Sequence, residues 1–97
     1  MELIYSFRVT GVRHPDTIIK YMLDVLLVSP EKIIFEGKAT SVVMPGEEGV
    51  LEILSYHRPL LSRLISGKIL IDNASYSIRR GIVGINSNKA TIIVEEQ

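Results

Sequence analysis

The sequence contains no cysteine and no tryptophan, and its histidines are only two, His14 and His57. Without cysteine there is no disulfide framework, thiolate metal site or thiol nucleophile, so stability has to come from packing. Charge of either sign is not in excess. Eleven Lys plus Arg balance eleven Asp plus Glu, which removes the electrostatic footprint that nucleic-acid binding needs. No apolar run approaches the roughly 20 residues of a membrane-spanning helix; Val25-Leu26-Leu27-Val28 is typical of the longest. The opening Met1-Glu2-Leu3-Ile4-Tyr5 has neither the basic region nor the long apolar region of a secretory signal, so a cytoplasmic address is expected. Catalytic patterns are missing too. G-x-S-x-G and H-E-x-x-H do not occur, and no Gly-Lys-Ser/Thr follows Gly46 to Gly49, whose acidic loop is the wrong charge for phosphate. An aromatic content of 6% argues against a flat sugar-binding platform. No catalytic residue, cofactor or metal is expected.

What is present is a 97-residue chain with 46% hydrophobic and 23% charged residues, the size and composition of one globular domain. From Leu23 onward, runs rich in Val and Ile alternate with turn residues. Candidate strands are Leu23 to Val28, Lys32 to Phe35, Ala39 to Met44, Val50 to Leu54, Leu60 to Ile65, Lys68 to Ile71, Ala74 to Arg79, Ile82 to Ile85 and Ala90 to Glu95. Asp72-Asn73 and Asn86-Ser87-Asn88-Lys89 read as hairpin turns, because Asn and Asp tolerate left-handed backbone. The pattern predicts an all-β fold, a two-sheet β-sandwich or flattened barrel of about 8–10 short antiparallel strands. Residues 1–21 are a separate question. Leu3, Tyr5, Phe7 and Val9 alternate like a strand and Gly11 to Asp16 reads as a turn, whereas Ile18, Ile19, Met22, Leu23 and Leu26 also fit a helical stripe capped by Asp16.

Several blocks carry a family resemblance. Val28-Ser29-Pro30-Glu31-Lys32 and Phe35-Glu36-Gly37 are followed by the uninterrupted run from Pro45-Gly46-Glu47-Glu48-Gly49 through His57-Arg58-Pro59-Leu60-Leu61. That run resembles the signature P-G-x-x-G-x-F-G-V-L-P-G-H-x-P-L-L of the F-type ATP synthase epsilon family. Ile65-Ser66-Gly67-Lys68-Ile69, Gly81-Ile82-Val83-Gly84-Ile85 and Asn88-Lys89-Ala90-Thr91-Ile92 are similar to later blocks of the same family, in the same order. The resemblance covers Met22 to Glu95. It divides the chain into an extension, 1–21, and an epsilon-type β-sandwich domain, 22–97. Met22 lies close to where family members start, so either Met1 is the true start and the extension adds a strand, or Met22 is.

The resemblance implies a non-catalytic rotor subunit of a proton- or sodium-translocating ATP synthase, linking the gamma subunit to the polar loops of the c-ring and coupling rotation to ATP synthesis. It implies peripheral attachment at the cytoplasmic face of the bacterial inner membrane. Full-length members continue into a helical hairpin that inhibits hydrolysis and in some members binds ATP; here the chain stops at Gln97, so neither activity is expected. The competing reading is a free-standing sandwich that serves as a protein adaptor. Glu47, Glu48, Val50 and His57 are the expected c-ring contacts, Val50 standing where some members carry another acid. Glu47 and Glu48 either meet the ring or simply solvate a hairpin tip, and His57 either contacts a partner or bonds backbone in its loop. Ser29, Tyr56, Arg79 and Arg80 are the expected gamma contacts. Glu52, Ser55 and Tyr56 replace the family's Gly, Pro and Gly; a positive φ at either glycine position would strain the residue now there and rebuild the loop from Leu54 to Pro59.

Overall fold

A computed structural model describes residues 22–97, which form eight strands. These are β1 (Leu23–Val28), β2 (Ile33–Ala39), β3 (Ser41–Gly46), β4 (Gly49–Leu54), β5 (Leu60–Leu64), β6 (Gly67–Ile71), β7 (Ala74–Asn86) and β8 (Lys89–Glu96). The strand and helix readings of residues 1–21 lie outside the described residues.

Alternation along each strand builds the core. Leu23, Val25 and Leu27 of β1 point inward with Ala90, Ile92 and Val94 of β8, while Val42, Met44 and Ile53 close the core from the β3–β4 hairpin. Ile69, Ile71 and Ile78 complete it. Phe35 and Tyr76 meet edge to face at a centroid distance of 6.3 Å beside this cluster, a favoured geometry for two ring quadrupoles. Two layers result. The first runs β2-β1-β8-β7-β5, and β4-β3-β6 with the first half of β7 makes the second. All ladders are antiparallel except β1·β8, which is parallel, so the sandwich expected from sequence holds one parallel seam in its larger sheet.

Strand β7 corrects one expectation. The runs Ala74 to Arg79 and Ile82 to Ile85 are a single 13-residue strand. Its first half pairs with β6 (Gly67↔Ile78 to Ile71↔Ala74) and its second half with β5 (Leu60↔Ile85 to Leu64↔Gly81). The register against β8 shifts between Ile78 and Arg80, so Arg79 is an extra residue in a bulge. The bulge reverses which parity faces inward: Tyr76 and Ile78 before it, Val83 and Ile85 after it. Arg80-Gly81 looks like a break between strands, yet the strand continues through it.

Gly81 permits the close approach that follows. A Cβ there would lie 2.6 Å from the Ile93 carbonyl oxygen and 2.8 Å from Val94 Cγ1. At the far end of the molecule Asp72, in the β6–β7 turn at φ 50°, accepts hydrogen bonds from Thr40 Oγ1 (2.6 Å), Thr40 N (3.1 Å) and Ser41 N (3.1 Å). These contacts tie the β2–β3 corner to the second sheet. The Thr40 hydroxyl holds the Asp72 carboxyl below its ordinary value of 3.8; partial desolvation opposes it, and the Thr40 and Ser41 main-chain N–H groups add to the lowering.

Two outcomes follow. Gly81→Ala should lower stability by about 1–3 kcal/mol through overpacking against β8, read as a fall in the urea midpoint at unchanged slope. Because the folded pKa of Asp72 is depressed, its contribution is fully present above 3.8 and is lost as pH falls through the lowered folded value. The stability difference between the native chain and Asp72→Asn should therefore be constant near neutrality and shrink in acid; a difference that grows on acidification contradicts this account.

Candidate protein interface

The outer face of the larger sheet is where the strands break their alternation. Registered partners share a face, so the side chains can be followed from strand to strand. One row runs Glu36–Leu26–Thr91–Gly84–Leu61 across β2, β1, β8, β7 and β5. The next runs Ile33–Val28–Ile93–Ile82–Arg63. Leu61 is 75% exposed and Ile33 60%, with Ile93 and Ile82 also on the surface. On one side of this band lies a polar row, Lys38–Asp24–Lys89–Asn86, and on the other the pair Arg80–Glu95. An apolar centre between polar borders is the anatomy of a protein-binding surface. Gly84 and Thr91, both small, form part of a shallow depression at its lower border with Leu60, Asn86 and Lys89.

None of the band's apolar residues was singled out from the sequence. The signal was present: Val25-Leu26-Leu27-Val28 and Ile92-Ile93-Val94 are apolar at both parities, and a strand with both faces apolar must bury each against something.

The residues that were singled out fall into three groups. Glu47 and Glu48 form the β3–β4 turn, and Val50, 76% exposed, sits just beyond it opposite Pro45. Ser29, Arg79 and Arg80 belong to the end of the sandwich where β1 and β8 finish. There Arg80 Nε meets Glu95 Oε1 at 3.1 Å and Lys32 reaches Glu96 at 3.7 Å, exposed pairs that contribute little to stability. Ser29 is buried in the β1–β2 turn, and its hydroxyl accepts from Glu31 N and Lys32 N at 3.3 Å each. Tyr56 and His57 lie at the opposite end, beside the starts of β1 and β8, about 20 Å away along six-residue β1. The sequence grouping set Tyr56 with Ser29 and the arginines, and His57 with Glu47 and Glu48; in space Tyr56 and His57 share one loop.

That loop has a left-handed residue at its centre. Tyr56 adopts φ 61° where the family signature has glycine, and the residue is 66% exposed. The conformation is held from the β7–β8 turn, where Ser87 (φ 52°) and Asn88 (φ 60°) are also left-handed. Asn88 Oδ1 accepts from Tyr56 N at 2.6 Å, and Asn88 Nδ2 donates to the Met22 carbonyl at 2.9 Å. One side chain thus pins the loop to the entry of β1. His57 Nδ1 lies 2.7 Å from the Arg58 carbonyl, which can only accept, so Nδ1 carries the hydrogen and donates it. The tyrosine itself bears the positive φ.

Residues 22–97 match the family described as the β-sandwich domain of the ATP synthase delta/epsilon chain. The chain belongs to that family. ATP synthase epsilon chains from Chlorobium limicola (39% identical over 75 residues, covering 72% of this chain and 85% of that one) and Nitratiruptor (42% over 74 residues, 71% and 57%) are similar to it. The similar epsilon chain of Bartonella quintana is 32% identical over 74 residues, and only 54% of its length is covered. The chain thus spans most of some epsilon relatives and about half of others. Among solved structures, the same sandwich occurs in the central stalk and c-ring of the Tetrahymena thermophila mitochondrial ATP synthase, at TM-score 0.63 and 19% identity, over 75% of this chain and 63% of that one. It occurs again in the Euglena gracilis mitochondrial ATP synthase, at TM-score 0.70 and 17% identity, over 99% and 69%. The epsilon-type sandwich is all-strand among its described residues, with no helix there long and apolar enough to cross a membrane.

If Tyr56 is strained, Tyr56→Gly should raise stability by up to about 1 kcal/mol by relieving the left-handed backbone, less the extra freedom glycine gives the unfolded chain. Asn88→Ala should lower it by about 1–2 kcal/mol through loss of both clamp bonds and the left-handed preference of Asn. Thermal unfolding of the two variants, displaced in opposite directions, checks both.

Proposed function

We propose that this chain is a non-catalytic central-stalk subunit of a proton- or sodium-translocating F-type ATP synthase, joining gamma to the c-ring so that rotation is coupled to ATP synthesis. The observation that carries the reading is the apolar band across β2, β1, β8, β7 and β5 with its polar borders. A rotor transmits torque only through contacts that do not slip, and a rigid sheet with a wide apolar face meets that need. Gamma covers the band. Arg79 and Arg80 flank it at one end and Tyr56 at the other, offering a polar rim and an aromatic anchor. Ser29 contributes from inside its turn, by fixing the end of β1.

The β3–β4 tip faces the ring in this proposal. Glu47 and Glu48 are exposed carboxylates suited to charge-assisted contacts with basic polar loops, and Val50 adds an apolar touch beside them. His57 has Nδ1 engaged by the Arg58 carbonyl, so Nε2 is the nitrogen it would offer to the ring. Held in this way the subunit is peripheral to the membrane, at the cytoplasmic face of the bacterial inner membrane, and needs no cofactor of its own.

Reconstitution with gamma and the c-ring from the same source separates the two contacts. Ile93→Glu, at the centre of the band, should weaken gamma binding at least tenfold. Glu47→Lys with Glu48→Lys should leave gamma binding intact while reducing ATP-driven proton or sodium pumping relative to ATP hydrolysis. If gamma binds the Ile93→Glu chain as well as the native one and pumping does not require the subunit, the stalk reading is wrong.

A further inference from the structure

The exposed edges of this sandwich are not equally protected. Edge strands normally carry charges, bulges or prolines that prevent further pairing. β2 has them: Lys38 is paired with Asp24 at 2.7 Å, and its register against β1 shifts where Ile34 is extra. The outer side of β5 is engaged by the hairpin tip, with Glu47 N donating to the Arg63 carbonyl at 3.1 Å. β4 is different. Gly49-Val50-Leu51-Glu52-Ile53-Leu54 contains no lysine, arginine or proline, and it pairs with β3 through all six positions without a shift.

The direction of its main-chain groups follows from one hydrogen bond. The Pro45 carbonyl accepts from Ile65 N at 2.9 Å and so points away from β4. Its opposite number on β4, Val50, therefore sits at a non-hydrogen-bonded position and turns its own N–H and C=O outward. Alternation gives Glu52 and Leu54 the same direction. The Leu54 carbonyl is taken by His57 N at 3.3 Å; the outward groups of Val50 and Glu52 have no main-chain partner among the described residues. Val50 and Leu54 are 76% and 53% exposed, on the same face as Glu52. Glu47, Glu48 and Glu52 have no ion-pair partner among the described residues.

We propose that the exposed edge of β4 accepts a strand from another polypeptide, an extended segment with a cationic side chain two positions from an apolar one on either side, so that all three fall on one face. Main-chain bonds to Val50 and Glu52 supply the pairing, Val50 and Leu54 receive the apolar side chains, and Glu52 with the two turn carboxylates selects the positive charge. The apolar residues favour a polypeptide over a free ion, and the carboxylates favour a basic segment over a second copy of this same acidic edge. The proposal stands on the edge itself and does not depend on the stalk role.

Titration of the full-length chain with a blocked pentapeptide that has valine first and fifth, lysine third and threonine between them, followed by amide NMR, tests it. Shifts should concentrate at the amides of Val50 and Glu52. The same peptide with glutamate in place of the lysine should bind at least fivefold more weakly. Glu52→Lys, an exposed substitution that leaves the core untouched, should weaken the lysine peptide at least fivefold. Four results overturn the proposal: no shift at β4, equal binding of both peptides, shifts centred on the β1–β8 face, or edge amides already protected in the free chain. Protection that rises with the chain's own concentration means that a second copy occupies the edge, and it overturns the proposal as well.

Discussion

Strand β7 is shared by both layers, and the sandwich depends on how it bends. The strand's inward and outward residues exchange part-way along, with Tyr76 and Ile78 facing the core in the first half and Val83 and Ile85 in the second. The bulge at Arg79 makes that exchange by adding one residue to the count. Gly81 then lets the strand lie close against β8. The rest is positioned from there: β5 and β6 line up end to end along β7, β3 runs along β6 and touches β5 at Gly46, and the β3–β4 hairpin projects beyond that contact.

Much of this was legible in the sequence. β1 was read with its observed bounds, and β4, β5, β6 and β8 to within a residue at each end, because Val and Ile runs bounded by turn residues leave little choice. β2 ran further than expected, since Glu36-Gly37-Lys38 looks like a loop yet stays paired with Leu26, Val25 and Asp24. β7 was cut in two for the related reason that Arg80-Gly81 has the composition of a turn. The odd spacing from Ile78 to Val83 was the available sign of a phase change within one strand. Parallel pairing of β1 with β8 depends on the whole topology, and no local pattern encodes it.

The candidate interface was less legible, for a reason of geometry. Individual residues were singled out through the family resemblance, but their neighbours in space were not: Tyr56 is bonded to Asn88, and Asn88 to Met22, across gaps that sequence order hides. The band was missed because each of its members looks like an ordinary strand residue; only the register puts Val28, Ile93 and Ile82 side by side. The exchange of glycine for tyrosine at position 56 was recognised as a conflict, and here the tyrosine takes a left-handed backbone held by Asn88.

The parallel seam between β1 and β8 also has a mechanical meaning. Met22 enters the seam at one end of the sandwich and Gln97 leaves it at the other, so a load drawn along these two strands pulls them past one another. Five residue pairs, Asp24↔Lys89 to Val28↔Ile93, then bear the force in shear, all at once, whereas an antiparallel hairpin opened from its ends would yield like a zipper, one pair at a time. With β2 braced on one side and β7 on the other, the seam resists distortion as a lap joint does, by sharing stress along its length.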